Sequence, residues 1–170
     1  MPQPEPALST DAAPSLTVWY GRIAVEGNRW IDHRWEIVGL ELDAVAPQTS
    51  ADGQRVPRAC PPLQLHGDEA EGYLLNLTAS EPSLFVLVRS AEDDGNPAEA
   101  GPPRIAAISA SFHTAARWID GGETVERLPL PATWAGAIES YARSRLKPPE
   151  EKRPKRRYAE AGDKHERPGH

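Results

Sequence analysis

Any chemistry done by this chain must come from a short roster of side chains. Its five histidines are His33, His66, His113, His165 and His170, and Cys60 is its single cysteine. No two histidines stand four apart and no HExxH occurs, so the spacing offers no helical zinc pair. His66, Asp68 and Glu69 are metal-ligand types within four positions. Acids flanking a glycine are also ordinary turn chemistry, and that is the stronger reading. Cys60 precedes Pro61 and Pro62 with no adjacent base to lower its pKa, and no GxSxG elbow exists. The glycine-rich phosphate loops GxGxxG and GxxxxGK[ST] are absent. Gly121-Gly122 follows an expected helix, where it reads as a C-terminal cap and not as a phosphate cradle. No catalytic residue, metal site or cofactor is expected.

Two segments are better suited to contact than to catalysis. The first is NRWIDHRW, residues 28–35, which gathers Trp30, His33, Arg34 and Trp35 around Asp32. Tryptophan is highly buried on average, so the favoured expectation is that both rings anchor a loop in the core while Asp32 and Arg34 pair locally. The competing reading is a recognition surface, since Trp and Arg dominate interface hot spots. The second segment carries Lys152, Arg153, Lys155, Arg156 and Arg157. Residues 1–146 hold 11 Lys/Arg against 20 Asp/Glu, whereas residues 147–170 hold 8 against 5. An acidic body with a basic tail can steer association with an acidic protein surface. The acids interspersed in the tail and the acidic body place nucleic acid last among partners.

These segments must be held by a small scaffold. A single cysteine precludes an intrachain disulfide and suits a reducing compartment. The first residues lack a basic–apolar signal pattern, and no apolar run approaches the roughly 20 residues that span a bilayer. The expected location is the cytoplasm, without membrane insertion.

Strands are expected at Thr17–Glu26, Trp35–Val45, Leu63–His66, Tyr73–Leu77, Ser83–Arg89 and Arg104–Phe112. Short extended pieces are expected near Arg55–Arg58 and Arg127–Leu130. A short helix is expected over Thr114–Asp120, capped by Ser111 or His113 and closed by the glycine pair. A final helix over residues 131–146 starts at Pro131 and places Trp134, Ile138, Tyr141 and Arg145 on one face. It should pack the first three onto the sheet. Helices do not alternate with strands, which argues against a parallel βαβ sheet. The expected fold is α+β: a mainly antiparallel sheet or partly closed barrel with a short helix and the C-terminal helix packed on it. It occupies residues 16–146 as one domain, with a flexible loop at 91–103. Residues 1–15 are a Pro/Ala-rich leader and residues 147–170 a basic tail, both expected to be disordered.

In combination, NRWIDHRWEIVGL, LQLHGDEAEGYLLNLTASEPSLFVLVR and ISASFHTAARWIDGGETVERLPLP, then a helix and a Lys/Arg-rich segment, resemble an uncharacterised domain-of-unknown-function family of proteobacteria. Members tend to be encoded beside genes of molybdenum-dependent formate dehydrogenase, and some carry the label molybdopterin-guanine dinucleotide biosynthesis protein. The resemblance implies a non-enzymatic accessory or assembly protein that binds formate dehydrogenase or its maturation factors. The other function it implies is a molybdopterin- or nucleotide-binding enzyme, in which His33, Arg34, Arg117 and Asp120 would have to converge on one pocket.

Overall fold

The computed structural model describes residues 15–90 and 101–146. Ten elements follow in order. They are β1 (Leu16–Ala24), β2 (His33–Leu42), β3 (Arg55–Ala59), a 3-10 turn (Gly67–Glu69), α1 (Ala70–Leu77), β4 (Ser83–Arg89), β5 (Arg104–Ser109), α2 (Phe112–Asp120), β6 (Thr124–Pro129) and α3 (Ala132–Arg145). The expected leader and basic tail, and residues 91–100 of the expected loop, lie outside the described residues. Pro102, near the end of that loop, is buried and its carbonyl accepts a hydrogen bond from Arg58 at 3.1 Å.

The strands form two three-stranded antiparallel sheets, ordered β2-β1-β3 and β5-β4-β6, with no closed barrel. The class is α+β. β1 supplies Leu16, Val18 and Tyr20 to one core, and β4 supplies Leu84, Val86 and Val88 to the same core. The period of two in each strand is what turns these sets inward. The opposite residues of β4, Phe85 and Leu87, are buried too, and Phe85 meets Phe112 of α2 with ring centroids 5.3 Å apart. The second sheet is thus covered on both faces. The first keeps an outer face toward solvent. Each large side chain buried here contributes on the order of 2 kcal/mol.

Two expected strands differ. Leu63–His66 has no regular structure, although Leu63 and Leu65 are buried. Residues 73–77 are not a strand but the end of α1. The alternation of Tyr73, Leu75 and Leu77 imitates a strand, yet Ala70, Tyr73, Leu74 and Leu77 also make an i, i+3, i+4, i+7 stripe. Those four line or pack against the core, whereas Leu75 is exposed, so the helical period prevails.

The later elements follow their end signals. The Ser111 hydroxyl oxygen accepts hydrogen bonds from the backbone N–H groups of His113 and Thr114, capping α2. Gly122, with φ +81, takes the left-handed conformation that ends the helix. Pro131 stands at the N-cap position of α3, with no side-chain cap bond, and Trp134, Ile138 and Ala142 enter the shared core. The backbone of α3 lies against α1 and the 3-10 turn, and Tyr141, expected on the sheet, instead meets the Tyr73 ring of α1 and donates to the Leu65 carbonyl. Among the described residues no helix is long and apolar enough to cross a membrane.

Candidate docking surface

The β1–β2 hairpin extends past the core, and its connection is built to hold a fixed shape. The Val25 N–H donates to the Asp32 carbonyl at 3.0 Å, closing the strand ends. Gly27 takes φ +77. Asn28 Oδ1 accepts from the Trp30 N–H at 2.9 Å and the Ile31 N–H at 3.4 Å, an Asx turn that satisfies the tip backbone locally. The tip therefore presents Trp30, 85% exposed, and Ile31, 50% exposed, side by side. The Arg29 guanidinium lies 5.6 Å from the centre of the Trp30 ring.

Below the tip the register assigns the faces. Ala24 opposes His33, Arg22 opposes Trp35 and Tyr20 opposes Ile37, so these residues share the core-side face. Tyr20 is in the core, Ile37 and Trp35 pack against its edge, and His33 and Arg22 lie beyond. His33 meets Trp35 edge-on at 5.7 Å. Its Nδ1 lies 2.5 Å from Asp32 Oδ1, and Arg22 stands 3.6 Å from the other Asp32 oxygen. The hydrogen bond from His33, more than the charge of Arg22, holds the Asp32 carboxyl below its usual pKa.

The favoured sequence expectation is therefore corrected at two points. Trp30 does not anchor the core; only Trp35 does, and partially. Asp32 pairs with His33 and Arg22, while Arg34 donates from Nε to Glu36 at 2.6 Å. The reason is where β2 begins. From His33 onward alternate residues share a face, which puts Arg34 with Glu36. Asp32 is still in the turn, where it reaches back to β1.

The solvent face of the first sheet adds a surface that the sequence reading did not single out. Trp19 lies across Gly39, where a Cβ would sit 3.7 Å from the Trp19 Cβ. Trp19 Nε1 donates to Glu41 at 2.9 Å, and Arg55 stands 5.2 Å from the centre of the Trp19 ring. At Gly21 a Cβ would come within 2.7 Å of Val38 Cγ1, so this strand position has to stay bare for Val38 to lie over it. The signal that could have found this face is the pair of glycines, Gly21 and Gly39, inside otherwise strand-forming sequence.

The remaining candidates are occupied internally. Glu69 turns away from His66 and Asp68 into the interior. It accepts from Ser111 Oγ at 2.5 Å and from the Arg117 guanidinium, which also bonds Thr114 Oγ1 at 3.1 Å. Burial works to raise the Glu69 pKa, but the bonds from Ser111 and Arg117 prevail and hold it below the usual value. Fully buried Asn76 donates to the Ser83 and Ala110 carbonyls at 2.7 and 2.8 Å and accepts from the Ser83 N–H at 2.9 Å. At Gly72 a Cβ would fall 2.1 Å from Ser111 Oγ, so only glycine lets α1 approach the start of α2. Gly72 and Asn76 were not picked out from the sequence, and Glu69, Ser111 and Arg117 were named without being paired, because the partners lie up to 48 positions apart.

Among the described residues no three His, Cys, Asp or Glu side chains form a metal-binding group. Burial pushes the Cys60 thiol up to about 12. The buried Tyr20 hydroxyl has no hydrogen-bond partner among the described residues, and burial pushes it also to about 12. His33 and Arg34 are held by Asp32 and Glu36 at the start of β2, and Arg117 by Thr114 on α2 and Glu69 in the 3-10 turn, so these three of the residues named for an enzymatic pocket are engaged with separate neighbours, while Asp120, the fourth, is the last residue of α2. Lys152, Arg153, Lys155, Arg156 and Arg157 lie outside the described residues.

Residues 17–157 match the family described as Protein of unknown function (DUF3305). The chain belongs to that family. Comparison with curated proteins and with solved structures finds no match. The DUF3305 match begins inside β1, covers every later element and continues past α3 to Arg157, the last residue of the basic run.

Proposed function

We infer that this DUF3305 protein is a non-enzymatic accessory protein that works by docking onto a protein partner, with the β1–β2 tip as its contact. The observation that carries the reading is Trp30. A large ring left 85% exposed on a backbone held by an Asx turn has little conformational entropy left to lose on binding. Ile31 extends the apolar contact, and Arg29 adds an Arg of the kind enriched in interface cores. Trp35, His33 and Arg22 brace the base, and Arg34 flanks it on the other face.

The resemblance to proteins encoded beside molybdenum-dependent formate dehydrogenase supports that enzyme, or a factor that matures it, as the partner. The basic run from Lys152 to Arg157 supports an electrostatic contribution to the encounter. The test is a cell lacking this gene, complemented with the wild-type chain or with Trp30→Ala, and assayed for formate dehydrogenase activity. The expected result is loss on deletion, recovery with wild type and a large deficit with Trp30→Ala at equal protein level. Normal activity in the deleted cell would refute the accessory role. Full complementation by Trp30→Ala would remove the tip from it.

A further inference from the structure

The solvent-facing side of α1 lacks a covering element among the described residues. Glu71, Leu74, Leu75 and Thr78 recur at i, i+3, i+4 and i+7 and line one shallow groove. Leu75 is 52% exposed, whereas Gly72, Tyr73 and Asn76, on the rest of the helix, are buried. Asp68 and Glu71 stand exposed at the start of this face, with no cationic partner among the described residues. The face combines an apolar stripe with uncompensated negative charge.

The course of the chain supplies an occupant. Tyr141, near the end of α3, donates its hydroxyl to the Leu65 carbonyl at 3.3 Å and meets the Tyr73 ring at 6.4 Å. The end of α3 is thereby fixed beside the start of α1, and the chain leaves it at Leu146. Residues 147–157 follow, with six Lys/Arg against two Glu and three prolines. The family match ends with this run, at Arg157. Distance permits the contact. The eight residues of α1 rise about 12 Å, and six residues of extended chain reach roughly 20 Å.

We propose that residues 147–157 dock on the Glu71–Leu74–Leu75–Thr78 face of α1 in the same molecule. Their Lys and Arg side chains oppose Asp68 and Glu71, and their prolines and aliphatic stems cover Leu75. This does not depend on which partner the hairpin tip binds. The basic run then has a resting place on the domain, and a partner that draws on its charge must compete with α1 for it.

The test is paramagnetic broadening in the full-length chain. A nitroxide placed at Tyr158→Cys, just beyond the basic run, in a chain whose partly buried Cys60 is replaced by serine (Cys60→Ser), is read at the backbone amides. The amides of Leu74, Leu75 and Thr78 should lose most of their intensity at low salt, while those of Asn28 and Trp30 keep theirs. The exposed pair Asp68→Lys and Glu71→Lys should restore the α1 signals. So should Lys152→Glu, Arg153→Glu, Arg156→Glu and Arg157→Glu, which alter no residue of the described elements. Unbroadened α1 amides would overturn the proposal. Broadening that survives both sets of charge reversals would do so too, as would broadening seen only when labelled chains are mixed with unlabelled ones, which would assign the contact to a second copy.

Discussion

The β1–β2 tip and the seam between α1 and α2 are both rich in polar and charged side chains, but they use them differently. In the seam each group is satisfied by another part of the chain. Asn76 spends both ends of its amide on backbone, and Glu69 is held by Ser111 and Arg117. At the tip the bonds are between near neighbours, and what remains for the outside is the Trp30 ring, Ile31 and Arg29. A buried polar group must find a partner or cost about 1–3 kcal/mol, so the seam cannot hold groups in reserve. An exposed aromatic ring is subject to no such demand. Mutation of the seam should therefore be felt as stability, and mutation of the tip as binding.

The strongest test of that division is Asn76→Ala. It leaves the Ser83 N–H and the Ser83 and Ala110 carbonyls unsatisfied in the interior, and urea unfolding should show a loss of about 3–4 kcal/mol. A loss below about 1 kcal/mol would mean that water replaces the amide and the seam is not closed. Gly72→Ala comes next. Its Cβ has to displace the Ser111 cap, and the expected cost is about 2–3 kcal/mol in the same assay.

Acid sharpens the comparison. Glu69 has a folded-state pKa below its unfolded one, so folding favours the deprotonated form. Its stabilising contribution is complete above the usual Glu pKa near 4.3 and disappears as pH falls through the folded value. Glu69→Gln should flatten the stability–pH curve below about pH 5, with little change in its slope above pH 6. An unchanged acid limb would show that other carboxylates carry it.

The smallest stability effects belong to the exposed groups. Trp30→Ala should alter stability by less than about 0.5 kcal/mol while abolishing partner binding. A stability loss comparable to that of Asn76→Ala would break the distinction between the two regions. Cys60, with its thiol pushed up to about 12, should carry thiolate on the order of one in ten thousand at pH 8. Alkylation by iodoacetamide should then be very slow until urea opens the core.

Most strands were legible from a period-two pattern or, as in β4, from a short continuous run of β-branched and other apolar residues. α2 and α3 were legible from their end signals, Ser111, Gly122 and Pro131, and α3 also from its helical stripe. Residues 73–77 were misread because five residues of alternating Tyr and Leu satisfy a strand period while belonging to a helical stripe that starts at Ala70. Of the contact residues, the sequence named Trp30, His33, Arg34 and Trp35 but not their separation. It could not say that Trp30 faces solvent and Trp35 the core edge, since that depends on where β2 begins. Trp19 with Gly39, and Glu69 with Ser111, went unnoticed for a different reason: each acquires meaning from a partner on another element.

By itself the sequence determined the α+β class, the order of nearly all elements and the separation of an acidic body from a basic segment. Those follow from local periodicity, cap residues and composition, which act within a few positions. Only the tertiary structure decided that the strands divide into two sheets, that α1 is a helix closed against α2 through Gly72, and that one tryptophan of NRWIDHRW is left outside. Each of those outcomes turns on which distant groups meet in a limited buried volume, and no short window of sequence contains both partners.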